Sequence, residues 1–278
     1  MSRTLLLGTL LGLLPALASA PALAAGTVTG RGTAEMTRAP DTLRLHLDLR
    51  AKGKDMPEAL ARLKARRDQA RARLRDLGAV RDSIRFGEPK VVNQLPGPDG
   101  KEPTTVVVSA LLRAEWPMPA GSPEDLLTWA HAVTEKVRAA DLGGRKEAEQ
   151  QARAAAEAAG EPAKTCHCGC KSGEPIFLYV AHFTENDWAR VRAEAFARAQ
   201  RNAARLARAA GAELGSLHNL ADEPTGPPDG ILLPPAGGVG APVELTPAEG
   251  EAFSQFPGKV TARVALAASF AVRPPAAK

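Results

Sequence analysis

Residues 27–50 read TVTGRGTAEMTRAPDTLRLHLDLR, and the alternation in their second half decides the fold class. Leu43, Leu45, Leu47 and Leu49 alternate with Arg44, His46, Asp48 and Arg50. A period of two predicts a β-strand with one face buried and the other wet. Pro40 has a fixed φ and no N–H to donate, which suits the start of such a strand. The first half, 27–38, is an extended segment punctuated by glycine. Its Gly30-Arg31-Gly32 superficially looks like a phosphate-binding loop, but such loops run from a strand into a helix N-terminus. Here the glycines precede a strand, so they mark a bulge or a close backbone approach.

Downstream, Asp55-Met56-Pro57-Glu58 reads as a helix start, with Asp55 as N-cap and Glu58 three residues on. Leu60, Leu63, Ala70, Leu74 and Leu77 fall on one helical face. Arg67 interrupts that stripe with its aliphatic stem, and Gly78 is placed to end the helix in the left-handed conformation. Two strands are predicted over 83–92 and 104–116, joined by a Pro/Gly-rich hairpin loop. Ser122-Pro123 opens a second helix that buries Leu126, Ala130, Val133 and Val137 and ends at Gly143 or Gly144.

A strand over 176–183 leads into a third helix, opened by Asn186 or Asp187 and stopped by Gly211. Its inward face carries Trp188, Val191, Ala195, Ala199, Leu206 and Ala210. Arg190, Glu194, Arg198, Arg201, Arg205 and Arg208 face outward. That row reads as a solvated face, or else as a surface for anionic lipid, polysaccharide or an acidic partner, with screening within about 8 Å at physiological salt. A short strand near 214–220 and a long alternating one over 259–272 complete the pattern. Strands outnumber helices, and hairpin links mix with helical crossovers, which favours an α+β fold. Residues 221–258 form a Pro/Gly-rich loop. Its Ile231, Leu232, Leu233, Val239, Phe253 and Phe256 predict docking, either on its own domain or on a neighbouring subunit.

Upstream of the deciding stretch, Arg3 precedes an apolar run over 5–17 and then small residues. This is the pattern of a secretory signal peptide, residues 1–24, too short to span a bilayer comfortably. Cleavage falls between Ala20 and Ala25, with Ala22-Leu23-Ala24 preferred because Pro21 disfavours the earlier site. No later run reaches the ~18 apolar residues a span requires, so no transmembrane segment is expected in the mature chain. The expected location is the periplasm or the secreted space. The roughly 254 remaining residues suffice for one large domain or two small ones. The formal charge is +5, but aromatics make up only 4% of the chain. Basic residues without interleaved stacking platforms argue against nucleic-acid binding.

Four pieces resemble the SIMPL-domain (YggE-like) family of bacterial periplasmic proteins. They are VTGRGTAEMTRAPDTLRLHLDL, PEALARLKARRDQARARLRDLG, AEAFARAQRNAARLARAAGAELGSLHNL and FPGKVTARVALAASFAV. The resemblance implies a two-layer sheet/helix sandwich over 25–273 with two intertwined subdomains. One covers about 25–116 plus the strand 259–272, the other about 117–220. It further implies residence in the cell envelope, a homo-oligomer and possible envelope partners, with a link to envelope stress. The family has no settled activity and no agreed catalytic residues, so no site carries over.

The chain departs from the family pattern over 143–173, an Ala-rich and Cys-rich insertion. All three cysteines lie in Cys166-His167-Cys168-Gly169-Cys170. Thiolates beside an imidazole suit Cu(I) or Zn, so Cys166, His167, Cys168 and Cys170 form the candidate metal set. Disulfide or intersubunit pairing in an oxidising compartment is the alternative, and an idle cluster the third. His46, His131, His182 and His218 are dispersed. His46 belongs to the outward set of its strand, and His182 shares the parity of Ile176, Leu178 and Val180. No Gly-x-Ser-x-Gly, His-Glu-x-x-His or P-loop string occurs. A non-catalytic envelope protein is therefore the first expectation and a soft-metal binder the second.

Overall fold

A computed structural model of the chain describes residues 26–92, 106–144, 174–223, 231–233, 243–245 and 247–274. The predicted signal segment and the Cys-bearing insertion lie outside those residues. The deciding stretch forms two strands, β1 (Thr27–Arg38) and β2 (Thr42–Gly53), followed by helix α1 (Met56–Asp76). Next come β3 (Arg85–Phe86), β4 (Lys90–Val91), β5 (Val106–Pro117) and helix α2 (Pro123–Ala139). Strand β6 (Ile176–His182), helix α3 (Glu185–Ala209) and strand β7 (Glu213–Glu223) follow. The chain closes with β8 (Ile231–Leu233), β9 (Val243–Leu245), β10 (Glu251–Ser254) and β11 (Val260–Arg273).

These elements form the α+β sandwich the alternation predicts. One sheet has the order β1-β11-β7, the other β10-β6-β2-β5-β3 with β4 also on β5, and β8 and β9 pair separately. The described pairings are antiparallel. The chain passes from the first sheet to the second at Ala39-Pro40-Asp41, so β1 and β2 belong to different layers despite being neighbours in sequence.

On the six-stranded sheet, Leu45, Leu47 and Leu49 are buried under α1 with Ala59, Leu63, Ala70 and Leu74, beside Leu112 and Trp116 of β5. Each such leucine is worth about 1.5–3 kcal/mol of burial. Asp55 caps α1 by accepting from the Glu58 N–H at 2.8 Å, as its spacing predicts, and Gly78 follows the helix at φ +81°. The stripe differs at one position. Leu60 is exposed and Ala59 is buried, because successive helical residues lie about 100° apart and the contact line runs through Ala59.

Helix α3 meets the other sheet through Val191, Ala195, Ala199, Ala203 and Ala207, every fourth residue. Gly30 and Gly32 lie beneath it. A Cβ on Gly30 would sit 2.0 Å from the Ala199 carbonyl oxygen, and one on Gly32 2.0 Å from that of Ala195. Of the two readings, a bulge or a close backbone approach, the second holds: the glycines lie within β1, whose register with β11 is unbroken. Three details of α3 are corrected. Thr184, not Asn186 or Asp187, is the N-cap, and both Leu206 and Ala210 are exposed rather than inward.

The strand expected over 83–92 is instead two short pieces, β3 and β4, after a turn of 3₁₀ helix that ends at Ser83. Gly87 still bonds Leu111 of β5, but Pro89 has no donor with which to continue the ladder. Part of the stretch 221–258 is ordered into strands. Leu245 and Phe253 pack on Leu178 and Val180 of the chain's own sheet, while Phe256 stays exposed.

Candidate functional site

The second face of β2 is where the structure overturns the alternation. Arg44 is only 3% exposed and His46 only 8%, although both belong to the face expected to be wet. The register explains why. Strand β6 places Leu178 beside Arg44 and Ile176 beside His46. Leu178 and Val180, together with Leu245, Leu111 and Phe253, then build a second apolar cluster on this side. A charged side chain inside such a layer must be paired.

Arg44 is paired three times. Its Nε donates to Glu115 Oε1 at 2.7 Å, and Nη1 and Nη2 donate to the two Glu251 oxygens at 2.8 Å each. Glu115 is directly opposite on β5, whereas Glu251 reaches over from β10, two strands away across β6. Arg113 adds a 2.7 Å bond to Glu115. Burial works against the charge on Arg44, but both glutamates outweigh it and raise its pKa. Burial likewise opposes ionisation of Glu251, and the Arg44 bonds overcome it, holding that carboxyl below its usual range. At Glu115 burial is overcome in the same direction by Arg113 and Arg44.

This network continues to the crossing between the sheets. His182 lies with Nδ1 2.7 Å from Asp41 Oδ1 and Nε2 3.4 Å from Glu251 Oε1. The His182 N–H donates to the other Asp41 oxygen at 3.1 Å, and the Asp41 N–H donates to the Val180 carbonyl at 3.0 Å. Burial raises the Asp41 pKa, but the His182 and Thr42 hydrogen bonds prevail and lower it. Arg38, the last residue of β1, donates to the His182 carbonyl and at 2.9 Å to Asp187. Asp187 is in turn the N3 residue of the α3 capping box with Thr184. One chain of polar contacts thus joins the start of α3, the end of β1, β6, β10, β2 and β5. Parity placed His182 with the inward residues, yet at the strand end it is half exposed.

His46 is buried without such help. Its Nδ1 has no hydrogen-bond partner. Burial first, and then the charges of Arg44 and Arg113, push its pKa down to about 4, so the ring is neutral at physiological pH. The assignment of His46 to a solvated face is corrected. It lies opposite Arg113 on β5 and beside Ile176 on β6.

Of the residues nominated from sequence, Cys166, His167, Cys168 and Cys170 lie outside the described residues. On either side of them, Gly143 and Glu174–Pro175 line the same small pocket with Leu47, Val137 and Leu142. His131 and His218 are exposed. Among the described residues, no group of three or more His, Cys, Asp or Glu could hold a metal ion. None of their helices is long and apolar enough to cross a membrane. Parts of the α3 arginine row are engaged locally. Arg198 bonds Glu194 and the Thr33 carbonyl, and Arg190 bonds Asp187.

The Arg44 cluster was missed because a charged residue at every second position of a strand ordinarily means water. Glu251 also lies 207 residues from its arginine, too far for any local pattern to reveal it. No curated protein matches the chain. Residues 28–167, half of the chain, match the family SIMPL, described as a protein of unknown function (DUF541). With that match the chain belongs to the SIMPL family.

Proposed function

We propose that this chain is an exported, non-catalytic SIMPL protein of the cell envelope that works through homo-oligomeric assembly and surface contacts. The observation supporting it is the fate of the gathered ionisable groups. Arg44, Glu115, Glu251 and Arg113 are bonded to one another, and His182 and Asp41 to each other. Such a network clamps strands together, whereas acid–base catalysis needs a group held ready for a substrate proton. Export rests on the residue 1–24 pattern, and the tie to envelope stress on family resemblance alone. Light scattering on the chain from Ala25 onward tests the reading: a multimer is expected at high micromolar concentration, and a monomer there overturns it.

A second reading has support of its own. The residues that flank the insertion, Gly143 on one side and Glu174–Pro175 on the other, line one small pocket, which supports reading the stretch between them as an addition to the fold. Its Cys166, His167, Cys168 and Cys170 would bind Cu(I) or Zn as soft ligands. Titration of the reduced chain with each metal is expected to give tight binding that disappears when the three cysteines become serine. Unchanged affinity in that variant removes the idea.

A further inference from the structure

The three-stranded sheet has two edges, treated differently. The Val272 N–H donates to the Gly26 carbonyl, so the even-numbered residues of β1 face β11 and the odd-numbered ones face outward. Those outward carbonyls are occupied from above by α3: Asn202 donates to Arg31 and Arg198 to Thr33. At the far edge, β7 runs eleven residues with nothing comparable. Among the described residues no side chain bonds its backbone, and it contains neither lysine nor proline, two common guards of an open edge.

The side chains of β7 have an unusual order. Two irregularities in its pairing with β11 set Leu214 opposite Val272, Leu217 opposite Phe270 and Leu220 opposite Ala268. Because these β11 partners alternate at a period of two, all three leucines share the α3 face. Leu214 packs with Phe196 and Phe270, but Leu217 is 45% exposed and Leu220 48% exposed. An open edge bearing a row of half-exposed leucines is a site for strand addition.

We propose that the outer edge of β7 is the contact between two copies of this chain, β7 pairing antiparallel with β7 of the second copy about Leu217. The inference rests on the self-assembly reading above and names its surface. Three observations select a second copy. The leucines are spaced symmetrically, so a dyad at Leu217 sets Leu217 against its own copy and Leu214 against Leu220. Charges complement as well: Asp222, at the acidic end of β7, comes against the start of the other β7, which follows Arg208 in the last turn of α3. Glu223 is held by Arg31 of its own β1 at 2.8 Å. Finally, centring one residue later, on His218, would oppose Glu213 with Glu223, and like charges directly opposite are destabilising. The joined sheet would have the order β1-β11-β7-β7-β11-β1, with both α3 helices on one side.

Sedimentation of the chain from Ala25 onward tests this with three variants. Leu217→Lys puts two ammonium groups at the dyad and is expected to weaken self-association at least ~10-fold. Leu206→Lys, equally exposed but on α3, is expected to leave it unchanged. With Cys166, Cys168 and Cys170 replaced by serine, Leu217→Cys is expected to cross-link under mild oxidation faster than His218→Cys. Amide exchange of β7 in the unsubstituted chain gives a check that needs no variant: protection that is lost on dilution supports the seam. If the chain is multimeric but Leu217→Lys changes nothing and β7 exchanges freely, this seam is wrong and self-assembly stands. Faster cross-linking through His218→Cys overturns the register. A monomer at every concentration overturns both inferences.

Discussion

Helices α1 and α3 both lie across a sheet, yet they meet it through different atoms. Helix α1 rests on side chains, Leu63 and Leu74 against Leu45, Leu47 and Leu49. It comes to backbone distance only in its first turn, where Gly53 lies under Ala59. Helix α3 rests on backbone along two turns, with alanines over Gly30 and Gly32. Leucine packing can relax around a lost methyl group. A helix seated on a strand backbone has nothing to compress. The two layers should therefore fail in opposite directions, α1 when atoms are removed and α3 when they are added.

Gly32→Val should have the largest effect of any single change here. Its Cβ would lie 2.0 Å from the Ala195 carbonyl oxygen and 2.4 Å from the Ala199 nitrogen, so α3 must lift from β1. A loss above ~4 kcal/mol is expected, in the range reserved for severe mechanisms. The matching change under α1, Leu63→Ala, leaves a cavity and is expected to cost about 2–5 kcal/mol. Thermal or urea unfolding of both variants measures the contrast. If Leu63→Ala proves the more damaging, or Gly32→Val is tolerated, the distinction between the layers is lost.

A second contrast sits on β2 itself, whose leucine face is buried and whose charged face is buried at Arg44 and His46. Arg44→Met keeps the volume but strips Glu251 of both guanidinium bonds and leaves Glu115 with Arg113 alone, and breaking a buried pair in this way costs about 3–5 kcal/mol at neutral pH. The sign of its pH dependence separates this from lost packing. Both carboxyls have folded pKa values below their ordinary 4.5. Their stabilisation is therefore present above pH 4.5 and is lost as pH falls through the folded values. In Arg44→Met that loss should shrink, because protonating the stranded Glu251 relieves it while Glu115 keeps only the part owed to Arg113. A variant whose stability still falls in parallel with the parent below pH 4.5 would show that Arg44 matters only as bulk.

His46 on the same face acts over a higher window. Its folded pKa of about 4 lies below the ordinary 6.5, so the unfolded chain takes the proton first. Stability is unaffected above pH 6.5 and declines as pH falls from there toward 4, by roughly 3 kcal/mol in total. His46→Gln should flatten the stability profile between those limits, measured by urea unfolding at several pH values. A profile of unchanged slope would mean that the ring is solvated in solution.

How much of this was legible beforehand follows from the range of each interaction. The leucine alternation of β2, the Asp55 cap and the Gly78 stop are local, and each reads correctly within a few residues. Gly30 and Gly32 are legible as either a bulge or a close approach, and what decides it, the alanines that cover them, comes from more than 160 residues away. Arg44 was not legible. Its burial is imposed by β6 and β10, and nothing near residue 44 announces either. Leu206 and Ala210 fall off the contact line because the expected stripe jumps from Ala199 to Leu206, whereas α3 meets the sheet at every fourth residue, through Ala203 and Ala207. The Cys166–Cys170 cluster is legible as chemistry, but it lies outside the residues through which the fold can judge it.

The smallest effect compares the starts of the two helices. Asp55 caps α1 with one bond to the Glu58 N–H, and nothing from the opposite sheet touches it among the described contacts. At α3 the Thr184 Oγ1 accepts from the Asp187 N–H at 3.2 Å, and the Asp187 carboxylate accepts from the Thr184 N–H at 3.0 Å. The same carboxylate holds Arg38 from the end of β1. Thr184→Ala and Asp55→Ala should each cost about 1 kcal/mol, the ordinary worth of a cap. Asp187→Ala should cost more than Thr184→Ala, because it also frees Arg38. A double-mutant cycle between Arg38→Ala and Asp187→Ala isolates that tie, for which an exposed ion pair sets about 0–1 kcal/mol. A coupling at the upper end would make the α3 cap part of the joint between the sheets. A coupling of zero would reduce it to a helix end like that of α1.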